Sequence, residues 1–248
     1  MKNETCADFR SVGRRNFLGA AFATWTLAGH FPLSLVQLSA SLGESLSKEQ
    51  RDAMTPAQVI EELKKGNERF RAGKMAARNY LAEKRASAAG QYPAAVVLGC
   101  VDSRVPAEII FDTGIGDVFV GRVAGNGVND DMLGSMEFAC GVSGAKLVLV
   151  LGHTSCGAVK GAIDDVVLGN LTGLLARIKP AIPVTKFDGE KSSKNASYVD
   201  AVARTNVVLG LGEIRRRSPI LEDLEKNGKI KIAGAMYELS TGRVEFLG

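Results

Sequence analysis

Cysteine is scarce, at four residues in a chain of 248. That is too few for a disulfide framework of the kind that staples small secreted domains. Histidine is scarcer: His30 and His153 are the two in the chain. Beyond the N-terminal segment, any chemistry needing an imidazole falls to His153, and no second histidine stands by as a proton shuttle. There is one tryptophan, Trp25, and aromatic residues make up 6%. With a net charge of +4 and no basic stripe interleaved with rings, nucleic-acid binding is not implied. The N-terminal apolar run is broken by Gly29, His30 and Pro32 and is too short for a stable membrane span. No internal repeat is present. A hydrophobic content of 46% excludes disorder over most of the chain and supplies a sizeable core.

The chain divides by composition. Residues 1–40 do not read as part of a domain. Arg14-Arg15 followed by Phe17-Leu18, then a weakly apolar run of small residues to Ala28, resembles a twin-arginine export signal. This predicts a periplasmic protein, with cleavage near Ser39-Ala40-Ser41. Cys6 falls in this segment. Residues 41–52 are polar and read as a linker. Residues 53–92 form a helical arm. Thr55, Pro56 and Gln58 have the spacing of a capping box with proline at the first helical position. Val59, Ile60, Leu63 and Phe70 make an apolar stripe, and Gly73 stops the helix. A second, polar helix is expected over 80–89.

Residues 93–248 alternate strands with helices, which argues for an α/β domain with a mainly parallel sheet. Strands are expected at 94–99, 118–123, 146–152 and 229–237, with a short last one at 243–246. Helices are expected at 106–111, 131–140, after Cys156 to Ile163, at 170–180, 199–217 and 219–226. Cys140 sits in an apolar helical run and reads as a buried, inert thiol.

Two short segments carry the chemistry. Cys100-Val101-Asp102-Ser103-Arg104 follows the first strand, and His153-Thr154-Ser155-Cys156 follows the third. Ligands in parallel α/β sheets bind beyond the carboxyl ends of the strands. Neighbouring strands would bring Cys100, His153 and Cys156 together as two thiolates and an imidazole. That is a three-ligand zinc set with the fourth position open, as in a catalytic site. A disulfide between Cys100 and Cys156 after export is an alternative, and so is a surface Asp102–Arg104 ion pair beside a structural zinc.

Cys-x-Asp-x-Arg after one strand and His-x-x-Cys after a later one resembles the β-class carbonic anhydrases. The likeness runs from about Thr55 to Phe246 and includes Gly66-Asn67-Glu68-Arg69-Phe70, Val105-Pro106-Ala107-Glu108, Arg122-x-Ala124-Gly125-Asn126 and Gly152-His153-x-x-Cys156-Gly157. The resemblance implies zinc held by Cys100, His153 and Cys156, with Asp102 and Arg104 as a charged pair beside it. It implies a sheet of four strands with an antiparallel fifth, built as an obligate dimer, and Gly157 in the substrate pocket. It implies reversible hydration of carbon dioxide to bicarbonate through zinc-bound hydroxide, a carbonate dehydratase activity. Zinc lowers the pKa of bound water to ~7, and the thiols must be ionised to bind it. Arg104 would keep Asp102 ionised and aimed. If that pairing broke, Asp102 could close the site as a fourth ligand.

Carbonyl sulfide or carbon disulfide hydrolysis on the same ligand set is an alternative, as is a non-catalytic zinc-bearing binding protein. A zinc nucleobase deaminase is excluded, because its His-x-Glu and Pro-Cys-x-x-Cys signature is absent. Some bacterial relatives bind a regulatory bicarbonate near a tryptophan three residues before the first cysteine. Val97 stands there in this chain, although the accompanying arginine is present as Arg122. The arm stripe reads equally as packing on its own domain or docking on a second subunit, and with the apolar strand at Val118-Phe119-Val120 it is expected to build a dimer interface.

Overall fold

The computed structural model describes residues 45–247. The export-signal reading lies outside the described residues, as does the beginning of the linker.

Five strands form one sheet: β1 (Ala95–Gly99), β2 (Val118–Arg122), β3 (Leu147–His153), β4 (Lys231–Tyr237) and β5 (Val244–Leu247). Their order is β2-β1-β3-β4-β5. The first three pairings are parallel and β4–β5 is antiparallel, as the sequence pattern and the resemblance implied. Apolar side chains alternate between the two faces, as the period of a strand requires. Val96, Leu98, Val148, Val150 and Ile232 enter one core, and Ala95, Val97, Leu147, Leu149 and Ala233 the other. Both faces are covered, which is why the strands read as continuous hydrophobic runs.

The long helix α9 (Ala196–Arg217) lies on the first face, with Val199, Val202, Val207 and Ile214 buried. It approaches closely because two strand positions lack a side chain. A Cβ on Gly234 would stand 2.7 Å from Val207 Cγ1, and one on Gly152 would stand 2.6 Å from Val207 Cγ2. The two glycines make a notch for Val207 and draw α9 onto the carboxyl end of β3 and the middle of β4.

The other face is covered by α2 (Pro56–Arg71), whose capping box forms as its spacing predicts. Gln58 N donates to Thr55 Oγ1 at 3.2 Å and Thr55 N donates to Gln58 Oε1 at 2.8 Å. Val59 and Leu63 are buried against β1, β3 and β4 of the same chain. Val59 and Leu63 thus belong to the core of their own chain, each stabilising it by about 1.5–3 kcal/mol, while Ile60 and Phe70 are only partly buried. The arm is also tied down by polar contacts. Arg69 Nε donates to the buried Asp112 at 2.5 Å, and Asn67 Nδ2 donates to the carbonyl oxygen of Gly242 at 2.9 Å. The polar helix α3 (Tyr80–Ser87) follows, capped by Asn79.

Residues 48–53 differ from the linker expectation. They form the helix α1 (Lys48–Ala53), opened by a Ser47–Gln50 capping box. It carries no apolar stripe. Buried Arg51 holds it by donating to the carbonyl oxygen of Ser143.

Between β1 and β2 lies α4 (Ala107–Ile110), and between β2 and β3 lies α5 (Asp130–Glu137). The helix expected to run to Cys140 instead widens into a π-turn over Phe138–Val142. After β3 come α6 (Gly157–Ile163), α7 (Gly169–Leu175) and α8 (Ala181–Val184). The expected stop at Pro180 is instead the N-cap of α8. The helix α10 (Pro219–Lys226) follows α9 and is capped by Ser218. Among the described residues, no helix is long and apolar enough to cross a membrane.

Candidate metal centre

β1 and β3 are neighbours, so their carboxyl ends deliver Cys100 and His153 side by side, and the turn after β3 returns Cys156 to them. The two sulfurs and a ring nitrogen of His153 lie within 4.8 Å of one another, and all three residues are buried. Cys100, Cys140 and Cys156 are free thiols, so the Cys100–Cys156 disulfide does not form here. His153 Nδ1 lies 2.9 Å from the carbonyl oxygen of Thr154. That contact takes the ring proton and leaves Nε2 with a lone pair. Nε2 is buried and has no hydrogen-bond partner. An orphaned imidazole nitrogen facing two thiols is costly in an apolar interior, and a metal ion removes that cost. The donor set fits zinc.

The thiols share their protons unequally. Cys100 is pushed down, chiefly by the Cys156 thiol donating to it, with help from the Asp102 and Gly125 N–H groups. Cys156 is pushed up, because the Cys100 thiolate and burial both oppose its charge. A divalent ion would ionise both. Cys140 is pushed up to about 12 by burial, in keeping with an inert thiol.

Asp102 stands beside the triad, with Oδ2 4.0 Å from His153 Nε2. Arg104 holds it in a fork. Nε donates to Oδ1 at 2.9 Å, Nη2 to Oδ2 at 2.7 Å, and the Arg104 backbone N–H to Oδ1 at 3.0 Å. Arg104 therefore keeps this carboxyl well below the usual carboxylate range. Gly157 is exposed at the start of α6, and a Cβ there would meet open space.

Three supporting residues were not singled out in the sequence for these jobs. Arg122 Nε donates to the carbonyl oxygen of Cys100 at 2.8 Å, and its Nη2 donates to that of Asp102. Asp200 accepts from the Ser155 N–H at 2.7 Å, holding the ligand turn where Ser155 has a φ of 55°. Asn206 Nδ2 donates to the carbonyl oxygen of Gly125 at 2.9 Å. Asp200 and Asn206 lie on α9 far along the chain from the ligands, so no local spacing could have flagged them.

A family model described as carbonic anhydrase matches residues 95–244. The chain belongs to the carbonic anhydrase family. Its likeness is to the β class. It is 39% identical over 194 residues to Carbonic anhydrase 2 of Mycobacterium tuberculosis, covering 76% of this chain and 91% of that protein. It is likewise 39% identical over 196 residues to a carbonic anhydrase of Mycolicibacterium smegmatis, covering 77% and 92%. Among solved structures, the β-carbonic anhydrase CafA of Aspergillus fumigatus matches with a TM-score of 0.58 at 25% identity, covering 77% of this chain and 89% of that one. One of two tetrameric β-carbonic anhydrases of Sordaria macrospora matches with a TM-score of 0.58 at 26% identity, covering 65% and 83%. The matched carbonic anhydrase region spans both ligand segments and the sheet that joins them.

Proposed function

We propose that this chain is a zinc-dependent carbonic anhydrase, converting carbon dioxide and water reversibly to bicarbonate and a proton. The observation that carries the reading is the buried Cys100–His153–Cys156 group with its unpartnered imidazole nitrogen, next to a carboxylate locked by arginine. Zinc held by these three residues supplies a Lewis acid that lowers the pKa of water to ~7.

The remaining steps belong to this chain's own side chains. Asp102 stays ionised because Arg104 donates to both its oxygens. It accepts a hydrogen bond from the O–H of the attacking oxygen and so aims that oxygen's lone pair at the carbon. Arg104 also keeps the carboxylate off the metal, and losing the fork would let Asp102 close the site as a fourth ligand. Gly157 leaves its N–H open to a bicarbonate oxygen at the start of α6. With His153 committed as a ligand, buffer or water carries the released proton.

The tests are metal analysis and stopped-flow carbon dioxide hydration, with carbonyl sulfide run in parallel. Zinc at one per chain with carbon dioxide turnover supports the reading. Turnover of carbonyl sulfide alone overturns it in favour of a hydrolase on the same scaffold. A zinc-bearing protein with neither activity overturns it in favour of a binding protein.

Two further parts of the reading rest on different features. The chain assembles as a homodimer or higher even oligomer through the free edge of β2. Among the described residues that strand pairs with β1 alone, and it is half-buried throughout. Phe119 and Phe138 meet edge to face beside it, with centroids 6.0 Å apart, on the rim of a cavity of about 640 Å³ lined by Val120, Met132 and Met136. The protein is exported to the periplasm by the twin-arginine route, a reading supported by Arg14-Arg15 and the run of small residues that follows. Replacing Arg14 and Arg15 by lysine and finding equal periplasmic abundance would refute the export reading.

A further inference from the structure

We infer that Asn206 is a positioning residue for the metal centre, acting on the Cys100 sulfur through Gly125. This rests on the zinc reading and adds a residue that neither ligand segment contains. The chain of contacts is short. Asn206, in the middle of α9 and only 7% exposed, donates from Nδ2 to the carbonyl oxygen of Gly125 at 2.9 Å. Gly125 in turn donates its own N–H to Cys100 Sγ at 3.3 Å. Both bonds are buried.

Gly125 has a φ of 67° and belongs to a one-turn 3₁₀ segment, Ala124–Asn126. Only glycine suits the position. A Cβ would lie 2.4 Å from Ile178 Cδ1 and 3.3 Å from Ala158 Cβ. A glycine so placed has an unusually free backbone, so its orientation must be set from outside. Asn206 fixes the 125–126 peptide by holding its carbonyl, and through the shared Cα this limits where the 124–125 peptide aims the Gly125 N–H. Without Asn206 the carbonyl loses this donor, the 125–126 peptide turns toward another partner, and the constraint it places through Cα on the 124–125 peptide is lost. The N–H···S bond then lengthens.

An N–H donated to a ligating thiolate withdraws charge from it, and such outer contacts tune both metal affinity and the acidity the metal confers. Asn206 reaches the site because Val207, next to it, seats in the Gly152–Gly234 notch. The placement of the sulfur donor is thus linked to the packing of α9 on the sheet.

The experiment uses Asn206→Leu and Asn206→Thr in the full chain, with Ile214→Ala, a buried residue further along α9, as the control for general destabilisation. Zinc release to a chelator and the sulfur-to-cobalt charge-transfer band of the cobalt-substituted protein are read for each. Both Asn206 variants are expected to release zinc about 10–100-fold faster than wild type. Their cobalt band should move to longer wavelength, and the pH profile of hydration should move to higher pH. Ile214→Ala should lower the melting temperature without moving the band or the profile. If Asn206→Leu does not fold, Asn206→Thr, which keeps a polar group of similar bulk, decides alone. A wild-type release rate, band and pH profile in the folded Asn206 variants would overturn the inference. Failure of wild type itself to bind zinc would instead overturn the function on which it rests.

Discussion

Arg122, the last residue of β2, donates through Nε to the carbonyl oxygen of Cys100 at 2.8 Å. Its Nη2 reaches the carbonyl oxygen of Asp102, so one guanidinium spans both backbone groups of the loop that presents the sulfur and the carboxylate. Arg122→Ala takes this donor from the buried Cys100 carbonyl and leaves the Asp102 carbonyl with the Val105 N–H alone. A fall of about 10–100-fold in kcat/KM is expected, the size of an outer-contact loss. Arg122→Lys should restore little, because an ammonium lacks the fork that bridges two acceptors. Steady-state hydration kinetics on zinc-loaded protein check this.

Cys100→Ser, His153→Ala and Cys156→Ser should each remove most of the bound zinc and nearly all activity. Two ligands and no spare histidine remain in each case, and the affinity loss should exceed the ~100-fold typical of outer contacts. Metal analysis after dialysis decides it. Full zinc in all three variants would refute the site.

Asp102 gives a pH dependence with a definite sign. Its folded-state pKa is depressed, first by the Arg104 hydrogen bonds. A depressed carboxylate contributes stability that is present above its unfolded pKa of ~3.9 and is lost as pH falls through the folded value. Wild type should therefore lose its advantage over Asp102→Asn progressively below pH ~4. Because Arg104 is half exposed, the advantage should be small at neutral pH and should shrink further in high salt. Urea midpoints at several pH values and two ionic strengths test it.

The notch under α9 can be probed with a double-mutant cycle. Gly234→Ala puts a Cβ 2.7 Å from Val207 Cγ1 and should cost about 1–3 kcal/mol by overpacking. Val207→Ala alone should also destabilise, by leaving a cavity. Together they should cost less than the sum by more than ~0.5 kcal/mol, since the second removes the atom that the first strikes. Additive midpoints in urea would mean the two positions do not touch.

Assembly should depend on the β2 edge rather than on the arm. Phe138→Asp, at a residue 50% exposed, should shift the protein toward monomer in light scattering while it stays folded. Deleting 53–73, by contrast, should abolish folding, because Val59 and Leu63 belong to the core of the same chain. A folded truncated protein would show that the arm is dispensable.

Much of this protein was legible in one dimension. The central strands β1 and β3 could be read because both their faces are covered, so each is an unbroken apolar run ended by glycine or a polar turn. The helix start at Thr55-Pro56 could be read because a capping box is a contact between residues three apart. The donor set could be read because Cys100-x-Asp102-x-Arg104 and His153-x-x-Cys156 each fall within a single turn at a strand end. The helix α1 was missed because a long-range donation from Arg51 to Ser143, rather than an apolar face, holds it.

Local spacing by itself marked two thiols and an imidazole as candidate metal ligands, and the family resemblance added the pairing of Asp102 with Arg104. Tertiary structure alone decided whether the arm covers its own sheet or a partner's, since an apolar stripe looks the same in either place. It also decided that Arg122, Asp200 and Asn206 brace the ligand loops. Those contacts join segments that sequence keeps far apart, and they exist only where parallel strands and a helix seated on two glycines bring them within hydrogen-bond reach.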